Sequence, residues 1–315
     1  MIFVQIASYR DPELIPTVLD LVDKADHPEQ LRIVVAWQHD DNESIEPIKH
    51  LIEYIDIPYV ESKGVCWARN LIQQKYNGEE YTLQLDSHHR FIKGWDSILL
   101  QMYENCKNLG SDKPLITGYL PHFNSLTDEY KNEIWQMNVE KFMDEGPLFF
   151  VPEPVSTSDV EINQPIPARF YSAHFAFSNG DFAKVIQHDP EYYFYGEETN
   201  ITVRAYTHGY DLYHPNKLIA WHQYTRDNRP KHWDDHINTD KKTVKKEWWE
   251  MDNESTKKHR SLFGIDGESI TTSKYGFGNE RSVKDYEQYA GIRFADRYIS
   301  EYTLKKLPPP NPILD

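Results

Sequence analysis

Cysteine is scarce in this sequence: Cys66 and Cys106 are the only two among 315 residues. They are too few and too far apart to make a disulfide framework, so a reducing compartment is expected. Their spacing also fits no standard metal-binding pattern. Long apolar runs are missing, and no stretch reaches the roughly 18 apolar residues of a transmembrane helix. The opening Met1-Ile2-Phe3-Val4-Gln5-Ile6-Ala7-Ser8 is apolar, but no basic segment precedes it and no cleavage site follows. It reads as a first core strand rather than a signal peptide, and a cytoplasmic location is the expectation. Positive charge is short as well, with 34 Lys and Arg against 50 Asp and Glu and a net charge of −16. That excludes a broad nucleic-acid face, which needs cations to neutralise phosphate. A local anion pocket survives the argument, because net charge says nothing about one cleft. The phosphate-cradling G-x-x-x-x-G-K-[ST] loop, the G-x-S-x-G elbow and the H-E-x-x-H helix are all absent.

What is present is a β-α rhythm in the first half. Residues 2–7 and 31–37 read as buried strands and 81–85 as a third. Between them Leu14, Ile15, Val18, Leu19 and Val22 recur at helical spacing after Asp11-Pro12, read as an N-cap with Pro at the first helical position. Helices are also predicted over 44–54, 64–76 and 94–105. Strands alternating with helices imply an α/β, three-layer, Rossmann-like fold with a mostly parallel sheet. The stretch 120–168, with Pro152, Pro154, Pro165 and Pro167, breaks the rhythm. It is expected to be an insertion or a loop region on the side of a second substrate, with a helix near 128–143. A strand over 170–177, a helix over 197–208 stopped by Gly209, and short strands at 211–214 and 217–221 follow. Residues 1–225 are taken as the principal domain, and 226–315 as a C-terminal helical and loop extension packing on it.

The sharpest chemical signal is Leu83-Gln84-Leu85-Asp86-Ser87-His88. Residues i and i+2 of an extended segment point to the same side, so Asp86 and His88 can grip one ion. In open α/β sheets ligands bind beyond the carboxyl ends of the strands, where this pair falls. An oxygen with an imidazole suits Mn²⁺ or another divalent cation. A second strand ends in Trp221-His222, so His222 is a candidate third ligand, with Arg226 in reach of a phosphate. In Tyr195-Gly196-Glu197-Glu198 one acid suits the helix dipole, and Glu197 or Glu198 faces a sugar hydroxyl. Ala7-Ser8-Tyr9-Arg10-Asp11, at the end of the first strand, suits a nucleotide base and ribose. Arg69, in Gly64-Val65-Cys66-Trp67-Ala68-Arg69-Asn70, is placed to meet a base or diphosphate.

In this order the motifs resemble the polypeptide hydroxyproline α-N-acetylglucosaminyltransferases and, more distantly, the mucin-type polypeptide GalNAc-transferases. The resemblance covers roughly the first 225 residues, and Arg281-Ser282-Val283-Lys284-Asp285-Tyr286 through Gly291-Ile292 resembles the family's C-terminal end. It implies a GT-A fold in which an Asp-x-His motif holds Mn²⁺ against UDP. By that resemblance Asp86, His88 and His222 are the metal ligands. Ser8, Arg10 and Arg69 become nucleotide contacts, and Glu197 and Glu198 sugar contacts. It further implies retaining transfer from a UDP-sugar, with UDP-GlcNAc favoured, to a polypeptide hydroxyl of hydroxyproline, Ser or Thr. A glycan or small hydroxyl acceptor, and a catalytically silent nucleotide-sugar binder, are the alternatives.

Overall fold

The computed structural model describes residues 1–155, 163–225, 229–237, 244–270 and 273–312. Its centre is a mixed sheet of eight strands. The first are β1 (Ile2–Tyr9), β2 (Leu31–His39), β3 (Ile52–Pro58) and β4 (Tyr81–Asp86), followed in the chain by the short β5 (His89–Phe91), which lies outside this sheet, and β6 (Pro114–Thr117). Across the sheet the order runs from the strand Ile166–Pro167 through Asp211–His214, β6, Phe175–Asn179, β4, β1 and β2 to β3. Neighbours in the β4-β1-β2-β3 half are parallel, whereas Phe175–Asn179 runs antiparallel to both β4 and β6. The chain leaves β1 to one side for β2 and β3 and returns on the other side for β4. The β1/β4 boundary is therefore a topological switch point, where open α/β sheets bind ligands.

Alternation along β1 explains the layers. Ile2, Val4 and Ile6 face a core shared with Leu14, Val18 and Leu21 of α1 (Leu14–Lys24) and Trp95 and Leu99 of α3 (Trp95–Asn108). Phe3 faces the opposite side, with Val34, Ala36 and the Ala68 and Ile72 face of α2 (Val65–Gln73). The C-terminal stretch joins the same body. Phe263, Ile265, Tyr286, Ile292 and Phe294 form one cluster with Met137, Val139, Leu148 and Phe150.

Four expectations are corrected. Residues 44–54 are no helix: a single 3₁₀ turn at Glu46–Ile48 leads into the parallel edge strand β3. The β-branched Ile52, Ile55 and Ile57, spaced with polar residues, favour the half-covered edge. The predicted helix near 128–143 is an antiparallel hairpin of Trp135–Phe142 and Leu148–Pro154, turned at Gly146 with φ 112°. The predicted strand 170–177 begins only at Phe175. Asp11 is not the N-cap of α1. Glu13 holds that position, and Asp11 Oδ1 instead accepts the Glu13 N–H at 3.0 Å.

Candidate active site

Register brings the motifs together. Ala7 of β1 lies beside Asp86 of β4, so both strands deliver their carboxyl ends to one place. After Asp86 the chain turns into β5, which pairs antiparallel with Ala220–His222, and His222 lies opposite His89. This two-residue detour carries His222 back over the end of β4. His222 Nε2 stands 3.4 Å, and His88 Nε2 3.6 Å, from Asp86 Oδ2. The ligand atoms of Asp86, His88 and His222 lie within 4.8 Å of one another, so one carboxylate oxygen and two imidazoles can hold one cation. The donor set fits a divalent ion of Mn²⁺ type, and the Nδ1 of His222 is buried without a hydrogen-bond partner among the described residues.

Burial alone would raise the Asp86 carboxyl. The hydrogen bond with His222 and the charge of Arg69 override it and hold Asp86 well below the usual carboxylate range. Burial, followed by the Asp86 hydrogen bond that opposes it, leaves His222 well below the ordinary imidazole value. The neutral ring is the form that ligates a metal.

The arginines stand differently from their sequence reading. Arg69 is 3% exposed and donates from Nη2 to Asp86 Oδ1 at 2.6 Å and from Nη1 to Glu197 Oε1. It is a buried clamp between two acids. Arg10 has φ 44° and gives its guanidinium to Asp235 at 2.9 Å, with Glu43 and Asp40 alongside and the Tyr59 ring 4.6 Å away. It is not among the residues lining the cavities described below. Arg226 lies outside the described residues.

The two glutamates separate clearly. Glu197 is buried, and its Oε1 meets both Arg69 and His188 Nδ1, the latter at 2.9 Å. Against the burial that would raise it, those two neighbours lower the Glu197 carboxyl. Glu198 accepts the Ala173 N–H at 2.9 Å and the Tyr119 hydroxyl at 3.2 Å. Burial pushes its carboxyl up to about 8, with the Glu197 charge adding to it and the Ala173 bond opposing.

Asp86 forms a wall common to two cavities. One, of about 130 Å³, is lined by Ala7, Tyr9, Gln38, Gly64, Arg229 and His232 among others. Ser8, buried at the end of β1 between the lining residues Ala7 and Tyr9, is not among the residues that line it, and its hydroxyl has no hydrogen-bond partner among the described residues. Gly64, at φ 102°, forms part of this wall, and a Cβ there would fall 2.8 Å from the Tyr193 carbonyl oxygen. The second cavity, of about 810 Å³, holds Arg69, Tyr119, Trp135, Phe149, Glu198 and Tyr224 in its walls. The hairpin that replaced the expected helix thus supplies its Trp135 and Phe149 to the site.

Two contributors, Arg229 and His174, escaped sequence reasoning, and a third, Asp11, was read only as a helix cap within the Ala7–Asp11 loop. Arg229 donates to Asp11 and runs along the His88 ring, with Nη1 2.7 Å from Nδ1 and Nη2 3.2 Å from Nε2. His174 stacks on His222 with centroids 4.1 Å apart. Asp11 meets His88. The only sequence signal for any of them was the position of Asp11 just past a strand end.

A family model described as Glycosyltransferase (GlcNAc) matches residues 1–50 and 46–296. The chain belongs to this GlcNAc glycosyltransferase family. No curated protein matches it. Among solved structures, GalNAc-T7 with UDP, GalNAc and Mn²⁺ is similar at 12% identity and TM-score 0.53, over 74% of this chain and 45% of that one. Staphylococcus aureus TarS 1–349 in complex with UDP-GlcNAc gives 15% identity and TM-score 0.44, over 73% of this chain and 60% of that one. The glycosyltransferase chain therefore spans under two thirds of either neighbour. At these identities the GalNAc-T7 match speaks for the shared fold, which agrees with a GT-A sheet read from sequence. The membership does not reach the hydroxyproline-specific family that the motifs resemble.

Proposed function

We propose that this glycosyltransferase moves a sugar, GlcNAc favoured, from a UDP-sugar to a hydroxyl of a polypeptide acceptor, with Mn²⁺ held by Asp86, His88 and His222. The observation that carries the reading is the convergence of those three side chains on the wall between a narrow and a wide cavity. Asp86, His88 and His222 would hold a divalent cation, which would supply positive charge to neutralise the diphosphate leaving group. The narrow cavity takes the nucleotide: the Tyr9 and His232 rings stand in its wall, and Arg229 supplies positive charge beside the phosphates. Arg69 keeps Asp86 in place from behind, and Arg10 braces the loop after β1.

The wide cavity takes the sugar and the acceptor. Tyr119, Trp135, Phe149 and Tyr224 give it the amphipathic rings that suit sugar and peptide surfaces. Glu198 is the acid we assign to the sugar, because Glu197 is committed to Arg69 and His188. At neutral pH Glu198 keeps its proton and can donate to a sugar oxygen. Neither glutamate is then a ready nucleophile. Given the retention that the resemblance implies, this disfavours a double displacement and leaves a front-face route, in which the departing phosphate takes the acceptor proton and catalysis rests on positioning and electrostatics.

The test is transfer from labelled UDP-GlcNAc to hydroxyproline-containing peptides, Ser/Thr peptides and saccharides side by side. The proposal expects product on a peptide and, after alkaline or enzymatic release, an α-linked sugar. Product on saccharides alone would replace the acceptor assignment while leaving the donor side standing. UDP binding with neither transfer nor hydrolysis would instead identify a silent binder.

A further inference from the structure

Asp11 does something that neither its sequence position nor the family membership assigns. Its side chain is fully buried, and both carboxylate oxygens are engaged. Oδ1 accepts the Glu13 N–H at 3.0 Å. Oδ2 accepts the Ser87 hydroxyl at 2.7 Å and Arg229, and it stands 2.8 Å from His88 Nδ1. A carboxylate so held cannot rotate, so it presents one fixed acceptor to one nitrogen of the ring.

We propose that Asp11 is a positioning residue for His88, fixing the ring with its hydrogen on Nδ1 so that the Nε2 lone pair faces Asp86 and His222. The inference rests on the metal-site reading above. Its physical basis is that a carboxylate has no proton to offer, so a 2.8 Å contact with Nδ1 places the hydrogen on the imidazole. Arg229 can only donate. Its Nη1 stands 2.7 Å from Nδ1 and its Nη2 3.2 Å from Nε2, so it faces both ring nitrogens alike, whereas the Asp11 carboxylate is the nearest acceptor to Nδ1 and the group that a ring hydrogen there would serve. A carboxylate behind a ligating histidine sets tautomer and orientation and raises ligand basicity, and its loss typically costs about 10–100-fold in metal affinity. Because Asp11 follows β1 and His88 follows β4, the contact also ties together the two strand ends that flank the switch point.

The experiment is a Mn²⁺ titration followed by the electron paramagnetic resonance of free Mn²⁺, with UDP present, on the wild type, Asp11→Ala, Asp11→Asn and Asp86→Asn. In parallel, ¹⁵N-histidine spectra of the wild-type protein, assigned through His88→Gln, report which ring nitrogen carries the proton before any metal is added. The expectation is loss of binding in Asp86→Asn, affinity weakened about 10–100-fold in Asp11→Ala, partial rescue in Asp11→Asn, and an Nδ1–H tautomer at His88. Mn²⁺ affinity within twofold of wild type in folded Asp11→Ala, while Asp86→Asn loses the ion, overturns the role of Asp11 and leaves the metal site intact. An Nε2–H tautomer does the same, and it needs no variant of Asp11 to fold. A wild type that binds no Mn²⁺ overturns the metal-site reading itself.

Discussion

Replacing Arg69 with methionine separates two roles for that arginine. As a nucleotide contact, its loss would raise the donor KM and leave the free protein's stability alone. As the buried clamp seen here, its loss strands two acids. Arg69 is 3% exposed, with Nη2 2.6 Å from Asp86 and Nη1 on Glu197, itself nearly as buried. Removing one partner of a buried, hydrogen-bonded ion pair costs about 3–5 kcal/mol, because the remaining charge is left without compensation. For a chain of this size about 2 °C of melting temperature is lost per kcal/mol, so a drop of roughly 6–10 °C is expected. The assay is thermal unfolding without nucleotide, at low and high Mn²⁺. The ion should recover part of the loss, since it supplies positive charge to Asp86 and does nothing for Glu197. The double variant Arg69→Met/Glu197→Gln should lose less than the sum of the two single changes, because they share one interaction. A melting temperature within about 2 °C of wild type for Arg69→Met, a loss of roughly 1 kcal/mol at most, would refute the clamp.

Glu198 predicts a slope in stability with pH. Its carboxyl is raised to about 8 in the fold from an ordinary value of 4.5, so between those values the folded state holds a proton that the unfolded state has released. Its contribution to stability is complete below about pH 4.5 and is lost as pH rises towards 8. Glu198→Gln should therefore flatten the fall of melting temperature across that window, and parallel curves for the two proteins would contradict the assignment. His214 works in the opposite direction. Burial lowers its ring to about 4, opposed by its bonds to the Thr117 carbonyl and the Met137 N–H, so its contribution is present above pH 6.5 and lost as pH falls towards 4. His214→Gln should lessen acid sensitivity in urea melts at pH 4.5–6.5, and unchanged sensitivity would count against it. Gly64→Ala puts a Cβ 2.8 Å from the Tyr193 carbonyl at a backbone φ of 102°, so a loss of about 1–3 kcal/mol and weaker UDP binding by calorimetry are expected. Unchanged UDP affinity in that variant would remove Gly64 from the nucleotide wall.

The parts of the fold legible in the sequence are those where one physical signal dominates. β1, β2 and β4 are buried on both faces and read as apolar runs, and α1 shows its Leu14-Val18-Leu21 stripe whatever surrounds it. Residues 44–54 and 128–143 failed because their apolar spacing suits a helix or an edge strand about equally, and only the neighbouring β2 or the facing Leu148–Pro154 strand decides. The site divides in the same way. Asp86 and His88 are local, two residues apart beyond one strand, and could be read together. His222 needed the β5 ladder to bring it across more than 130 positions of the chain. Arg69 lines the wide cavity, but its direction was not legible, because a helix position does not say whether a guanidinium points at a ligand or at a neighbouring carboxylate. Asp11 was read through its backbone neighbourhood as a cap. Its long-range contact with His88, 77 residues away, has no trace in local sequence.

The most direct test of the account is slow donor hydrolysis without acceptor, over a panel of UDP-sugars, with and without Mn²⁺, for wild type and Asp86→Asn. The account predicts that one donor, UDP-GlcNAc foremost, is cleaved by the wild type only when Mn²⁺ is present, and by Asp86→Asn not at all. Cleavage that persists in Asp86→Asn, or that ignores the metal, would contradict the role given to Asp86, His88 and His222.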